Sequence, residues 1–304
     1  MDKNIFSKKP FPLIFSIISC ILWGSAFPVL KISYAELRFA SGDVLGRIAL
    51  GGLRFFLASL VLLLFTALVA KESLKLKKKD LARLFILGLV QTGLMYILFY
   101  NGVANTTGIK SSIIQGLETF FTIILAHFIY KNDKINGSKA IGIIFGFTGI
   151  ILTNWSGDFT GGITLYGEGF LMISSLIGAL CAIYVKKLSV EISPLLITSY
   201  QLLFGSLLML GIGAPRMVYL VESFTPLAAG LLVYSALLSS VAFALWFTLL
   251  KYNKAGEISV YRFIIPVSGA VLSAIFIPSE TFTINIAISV ALVAFGIGIV
   301  NYRR

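Results

Sequence analysis

Glu118 is the residue whose position most needs a reason. It lies near the middle of GIKSSIIQGLETFFTIILAHFIY (residues 108–130), a stretch long enough to cross a bilayer as a helix. A charged side chain at the centre of such a helix costs roughly 2.5–3.5 kcal/mol on insertion scales, which a segment that only anchors has no cause to accept. Ser111, Gln115, Glu118 and Thr122 fall at helical spacing and share one face, while Ile, Leu and Phe fill the other. A carboxylate on that polar stripe can bind the amino group of a solute or carry an exchangeable proton. It can also be the buried partner of a structural ion pair. Arg262 is the second charge at depth, on a face with Ser259, Pro266, Gly269 and Ser273. At about 1.5 Å per residue, Glu118 is ~15 Å from one edge of its span and Arg262 ~9 Å from the other. In a core about 30 Å thick their depths differ by roughly 6 Å, within an arginine's reach. Arg262 therefore pairs with Glu118, pairs with a solute carboxylate, or snorkels to the interface.

Around these charges, Gln91, Tyr96, Tyr100, Asn101, Trp23, Trp246 and Tyr261 are candidates for amide and aromatic contacts to a bound solute. Pro28 and Pro266 are candidate kinks or hinges, since each removes a helical hydrogen bond. Arg54 reads as snorkelling or as a helix–helix contact, His127 as packed or interfacial, and Trp155 as an interfacial belt residue.

The elements that must position these residues are membrane spans. The chain has 304 residues, 58% hydrophobic and 12% charged, with a mean hydropathy of +0.95. Soluble domains carry about 25% charged residues. Apolar blocks give ten spans, at 11–32, 46–69, 84–104, 108–130, 138–155, 166–186, 193–213, 226–250, 257–277 and 283–301. The short connections NTTG and YNKAG make tight helical hairpins. The net charge of +12 is no nucleic-acid signature, because the basic residues sit in loops and not on an aromatic-interleaved stripe. Cys20 and Cys181 lie inside apolar spans, so neither a disulfide framework nor a metal site is expected. Lys8 and Lys9 precede an apolar run with no small-residue cleavage site, which reads as an uncleaved first span. With the N-terminus inside, 18 Lys and Arg fall on inner segments and 5 on outer ones, with Arg54 and Arg262 left in the membrane. That bias places both termini in the cytoplasm and the chain in the cytoplasmic membrane.

The two halves resemble each other. FYNGVANTTG (99–108) aligns with FTLLKYNKAG (247–256) at an offset of 148, and Phe128-Ile129 aligns with Phe276-Ile277. The same offset sets Glu118 against Pro266. Five spans per half invert the second half, which predicts an all-α membrane fold of ten helices in two inverted repeats, 1–155 and 166–304. Gly142, Gly146 and Gly149 read as a small-residue helix contact.

LWGSAFPVLK (22–31), GLRFFLA (52–58), ALWFTLLKYNKAGEIS (244–259), Pro266-Val267 and Glu280, with Asp133 as its counterpart, make the chain similar to the EamA-type members of the drug/metabolite transporter superfamily. The resemblance covers nearly the whole length. A proline common in the family's fourth span is replaced here by Glu118 or Thr119. The resemblance implies a ten-helix inverted repeat moving a small metabolite by alternating access, often amino-acid export. The partners expected are that solute, a coupled proton as one option, and lipid, in a monomer or homodimer. No ATP-binding motif and no cofactor site is present in the pattern. The rival classes are a membrane-embedded enzyme, for which one His and no HExxH or GxSxG offer little, and a scaffold or sensor.

Overall fold

The computed structural model describes residues 5–40, 42–105, 114–153, 164–278 and 281–302, the side chains of residues 104, 153 and 301 excepted. Ser111, Trp155 and Glu280 lie outside the described residues, as do the termini. Among the described residues the chain is helical, with no strand.

Seven helices are long and apolar enough to span a bilayer: α1 (Phe11–Glu36), α2 (Val44–Leu68), α3 (Lys78–Val103), α6 (Leu165–Leu188), α7 (Pro194–Glu222), α8 (Pro226–Tyr252) and α9 (Ala255–Phe276). Among the described residues there are also three shorter apolar helices: α4 (Leu117–Ile129), α5 (Gly137–Thr153) and α10 (Ile284–Tyr302). Local chemistry sets several starts. Asp43 caps α2 by accepting from Gly46 N at 3.0 Å, and Thr225 caps α8 by accepting from Ala228 N at 3.1 Å. Prolines occupy the first turns of α1, α7 and α8, where a missing N–H costs nothing.

The helices depart from expectation in three places. α3 begins at Lys78, six residues before the apolar block, because Lys78, Lys79, Asp80 and Arg83 are compatible with an exposed first turn. α1 runs unbroken through Pro28. α9 is not broken at Pro266 either. It tightens into one 3-10 turn over Val260–Phe263, just before Ile264–Phe276 resumes the α pitch. The ring nitrogen of Pro266 cannot serve the carbonyl four residues back, so the irregular turn falls N-terminal to the proline.

Two further irregularities are wider. α3 is a π-helix over Gly88–Leu94, and α6 starts with a π turn over Leu165–Gly169. The chain packs across its two halves: α2 along α7, α5 along α10, α1 against α8 and α9, and α4 against α6. Glycines permit the closest approaches. A Cβ on Gly205 would stand 2.4 Å from the Gly88 carbonyl oxygen, and one on Gly142 3.1 Å from that of Gly296. Gly149 likewise lies against Val293 of α10, whereas Gly146 faces the Phe263 ring of α9, so the expected small-residue seam holds at two of its three glycines. The exterior is apolar, with Phe128, Ile144 and Leu64 each more than half exposed, as lipid-facing side chains are. Cys20 and Cys181 are buried free thiols.

Polar links gather the loops at the two ends. At the end carrying the N-terminus, Asn253 Nδ2 donates to Phe6 O at 2.8 Å, Lys186 Nζ donates to Leu250 O at 2.9 Å, and Gly256 N donates to Asp133 Oδ2 at 2.8 Å. Asp133 also forms a buried ion pair with Lys139. His127 accepts from Ile135 N at 2.9 Å and so orders the loop after α4. At the opposite end Thr225 donates to Glu36 at 2.9 Å, and Arg216 clasps Asp43 with Nη2–Oδ2 at 2.5 Å and Nε at 3.1 Å from both oxygens.

The Arg216 guanidinium hydrogen-bonded to Asp43 holds that carboxyl below the usual carboxylate range. A depressed folded-state pKa adds stability that is full above the unfolded value, about 3.9, and is lost as pH falls through the folded value. Asp43→Asn is therefore expected to lower thermal stability at neutral pH and to flatten the fall in stability below pH ~4. Melts of both proteins across pH 3–7 with parallel slopes would disprove it.

Candidate functional site

Arg262 and Gln115 meet the carboxylate of Glu118 inside the bundle. Glu118 opens the first turn of α4 and is 5% exposed. Arg262 Nη2 donates to its Oε2 at 2.6 Å, and Gln115 Nε2 donates to the same oxygen at 3.3 Å. The Arg262 guanidinium carbon sits 5.4 Å from the ring centres of both Trp23 and Trp246, whose own centres are 5.5 Å apart, so the cation rests against a corner made by the two indoles. Arg262 lies in the 3-10 turn, whose tighter pitch sets its direction. Snorkelling is excluded for it, since its head is spent on this pair.

The pair borders a cavity of about 130 Å³. Trp23, Gln91, Tyr96, Tyr100, Gln115, Glu118 and Arg262, all expected at a site, line it together. They come from α1, α3, α4 with the residues just before it, and α9. Phe243 of α8, Ser174 of α6 and Arg54 of α2 add three more helices. Larger hollows exist elsewhere. One of about 510 Å³ between α1, α9 and α10 is walled almost wholly by Ile, Leu and Val, and one of about 470 Å³ lies between α2, α7 and α8. Neither gathers the intramembrane charges, so the smaller cavity is the candidate site.

Several expected residues stand apart. Thr122 is buried, but its hydroxyl donates to Glu118 O at 2.7 Å, turned onto its own helix and away from the cavity. Asn101 does the same with Ile97 O at 3.0 Å. Tyr261 is buried in the core and does not line the cavity, because one residue along a helix from Arg262 points to another side. Trp246 acts through its stacking on Arg262 and is not itself a wall. Pro266 does not line the cavity either; its neighbour Ile265 does. The sequence leaves Arg54 as a snorkelling side chain or a helix contact. It is 4% exposed and donates Nε to Ser239 Oγ at 2.7 Å, so only the contact holds.

On the side toward the N-terminal end, the cavity is underlain by aromatics. Phe55 packs on Tyr96 at 4.7 Å, Trp23 on Phe243 at 5.1 Å, and Phe243 on Phe247 at 5.8 Å, with Phe55, Trp246 and Phe247 essentially inaccessible. The wall behind Glu118 is Gly178, where a Cβ would fall 2.6 Å from Glu118 Cδ. That neighbour is the end of a flexible side chain and can yield into the cavity. Gly178→Ala is expected to fold normally yet weaken solute binding by roughly 10–200-fold, the worth of a methylene in a pocket. Unchanged affinity in the folded variant would rule out a close fit around Glu118. At Gly205 the obstacle is backbone, so Gly205→Ala is expected to lower thermal stability instead.

A sequence profile described as the EamA-like transporter family matches residues 10–155 and again 165–302. A protein of Archaeoglobus fulgidus named an uncharacterized transporter is 26% identical over 293 residues, covering 94% of this chain and 97% of that one. YetK of Bacillus subtilis, also named an uncharacterized transporter, is 32% identical over 263 residues, 83% of this chain and 78% of its own. YvbV of the same organism is 26% identical over 93% of this chain and 89% of its own. A solved crystal structure superposes with a TM-score of 0.73 at 14% identity over 95% of this chain and 96% of that one, a likeness of fold alone. With its apolar helices and buried central charges, the chain is a multi-pass membrane protein and belongs to the EamA-like transporter family.

Proposed function

We propose that this transporter is a secondary carrier in which two inverted five-helix halves, 1–155 and 166–304, rock about the Glu118–Arg262 cavity and pass a small metabolite across the cytoplasmic membrane. The observation that carries the reading is the convergence of seven helices, from both halves, on one buried charged cavity. The twofold match of one family profile supports the repeat, and the ten apolar helices fit five per half. Glu118 belongs to the first half and Arg262 to the second, so their ion pair ties the halves across the cavity. A solute group that competes for either partner loosens that tie, which couples occupancy to rocking. The aromatic layer toward the N-terminal end fits a conformer closed on that side. The excess of Lys and Arg in the loops of that end supports a cytoplasmic placement of both termini.

The test is flux in proteoliposomes holding the purified chain, with labelled amino acids and related metabolites screened with and without a pH gradient. A carrier moves a solute unchanged and shows counterflow. An embedded enzyme alters it, and a scaffold does neither; either result would end the reading. Stimulation by an imposed pH gradient identifies the proton as the coupling ion.

A further inference from the structure

We propose that Arg54 is the anchor for a solute carboxylate, and that the solute is a net monoanion with a small apolar body. The proposal rests on the carrier reading and names its substrate class.

Arg54 is 4% exposed and lines the cavity. Its guanidinium carries five N–H donors. One, Nε, donates to Ser239 Oγ at 2.7 Å. That hydroxyl spends its own proton on Ser235 O at 2.7 Å, so it gives the cation a neutral dipole and no charge. No carboxylate pairs with Arg54 among the described residues, and its two terminal nitrogens make no hydrogen bond there. The face of Phe55, 5.2 Å away, is its other contact of note. An arginine is not deprotonated in a protein, so this charge stays. A buried charge with one neutral partner in a membrane core is costly, and such a residue is kept where a ligand completes it.

The charge count sets the ligand's sign. The cavity holds two cations, Arg54 and Arg262, and one carboxylate, Glu118, already paired with Arg262 at 2.6 Å. One positive charge is left over. A monoanion cancels it, a zwitterion leaves it, an amine doubles it, and a phosphate dianion overshoots. Uncommitted polar atoms stand ready beside it. The hydroxyls of Tyr96 and Tyr100 make no hydrogen bond among the described residues, and Gln91 Oε1 is buried without a partner. Phe27, Phe99 and Ile265 supply apolar walls, and Trp23 adds a ring whose Nε1 is buried without a partner. At about 130 Å³ the space is well under the ~300–1,000 Å³ typical of drug-sized ligands. The fit is a short carboxylate with an aliphatic or single-ring body, its two oxygens on the planar fork of Arg54.

The experiment uses the purified full chain in detergent and three matched sets of probes: benzoate, benzamide and benzylamine; isovalerate, isovaleramide and isoamylamine; and phenylalanine with inorganic phosphate. Affinity is read by calorimetry and by ligand-induced thermal shift. The carboxylates are expected to bind at least about tenfold tighter than their amides, with amines, phenylalanine and phosphate weaker still. Arg54→Gln is expected to erase the carboxylate preference while leaving the amide affinity in place, and Arg54→Lys to keep part of it as a point charge. Without ligand, Arg54→Met is expected to melt at or above the wild-type temperature, since it removes an uncompensated charge. An amide, amine, zwitterion or phosphate binding as well as the carboxylates would overturn the proposal, as would a carboxylate preference that survives in Arg54→Gln. The wild-type comparison needs no variant to fold. Carboxylate binding that depends on Arg54 in vesicles showing no flux would keep this assignment and sink the carrier reading. Flux of an amine or a neutral solute, unimpaired by Arg54→Gln, would do the reverse.

Discussion

Removal of the Glu118 carboxylate is expected to cost both stability and transport, and the two losses can be separated. Breaking a buried ion pair by deleting one partner typically costs about 3–5 kcal/mol, because the other charge is left stranded. Here Arg262 keeps the faces of Trp23 and Trp246, each 5.4 Å from its guanidinium carbon, and its side chain is 17% exposed to the cavity. The cost of Glu118→Gln should thus sit near the lower end, about 3 kcal/mol. Neutralising both partners, Glu118→Gln with Arg262→Gln, removes the stranded charge and is expected to recover most of the thermal stability. It is not expected to recover flux, since the tie between the halves is gone. Full and pH-independent flux in the folded Glu118→Gln protein would show that the carboxylate has no part in transport. Arg262→Lys probes the other partner. It keeps the charge but loses the planar fork and the double stacking, so its transport should fall well below that of the wild type.

The second large effect is expected at the N-terminal end, with no solute involved. The side chains of Asp133 and Lys139 are 1% and 3% exposed, the most deeply buried ion pair among the described residues. Asp133 also accepts from Gly256 N at 2.8 Å and so holds the start of α9. Asp133→Ala strands Lys139 with the Lys134 carbonyl at 3.0 Å and frees that amide at once. The expected loss is about 3–5 kcal/mol, read as the steepest drop in melting temperature of any single charge removal in the chain. Asp133→Leu combined with Lys139→Met should restore a large part, since well-packed apolar residues often replace a buried pair without loss. A melt of Asp133→Ala within a degree of the wild type would contradict the burial on which this rests. Because the anchor grips the first turn of α9, which leads to Arg262, its loss should also raise proteolysis at the YNKAG connection.

Much of the helical order is legible in the sequence, because apolar blocks and proline and threonine starts report it directly. α8 begins at Pro226 behind Thr225, as its pattern says. The start of α3 is not legible that way, since hydropathy is blind to a polar first turn over Lys78–Arg83. At the site, helical spacing brings Gln115 to Glu118, and counting depth from opposite edges brings Arg262 within reach of it. Both are contacts in the structure. Spacing failed for Thr122 because a hydroxyl can turn back on its own backbone whichever way its Cβ points. For Arg54 it left snorkelling and a helix contact both open, because the distance to a membrane edge says nothing of Ser239, 185 residues away in sequence, which meets it. The double stacking of Arg262 was equally hidden, since two indoles on different helices are brought together only by packing.

The widened stretch Gly88–Leu94 in α3 has a consequence for how this sequence can vary. An α-helix turns by about 100° per residue, so a π segment carries a surplus amino acid that offsets everything beyond it. Deleting one residue there would heal the pitch but swing Tyr96 and Tyr100 round the axis, out of register with Gln91 and the rest of the pocket. The helix would remain sound while the pocket lost a wall. Gaps in this stretch should accordingly be far less tolerated among working relatives than substitutions, although neither would harm the membrane span itself.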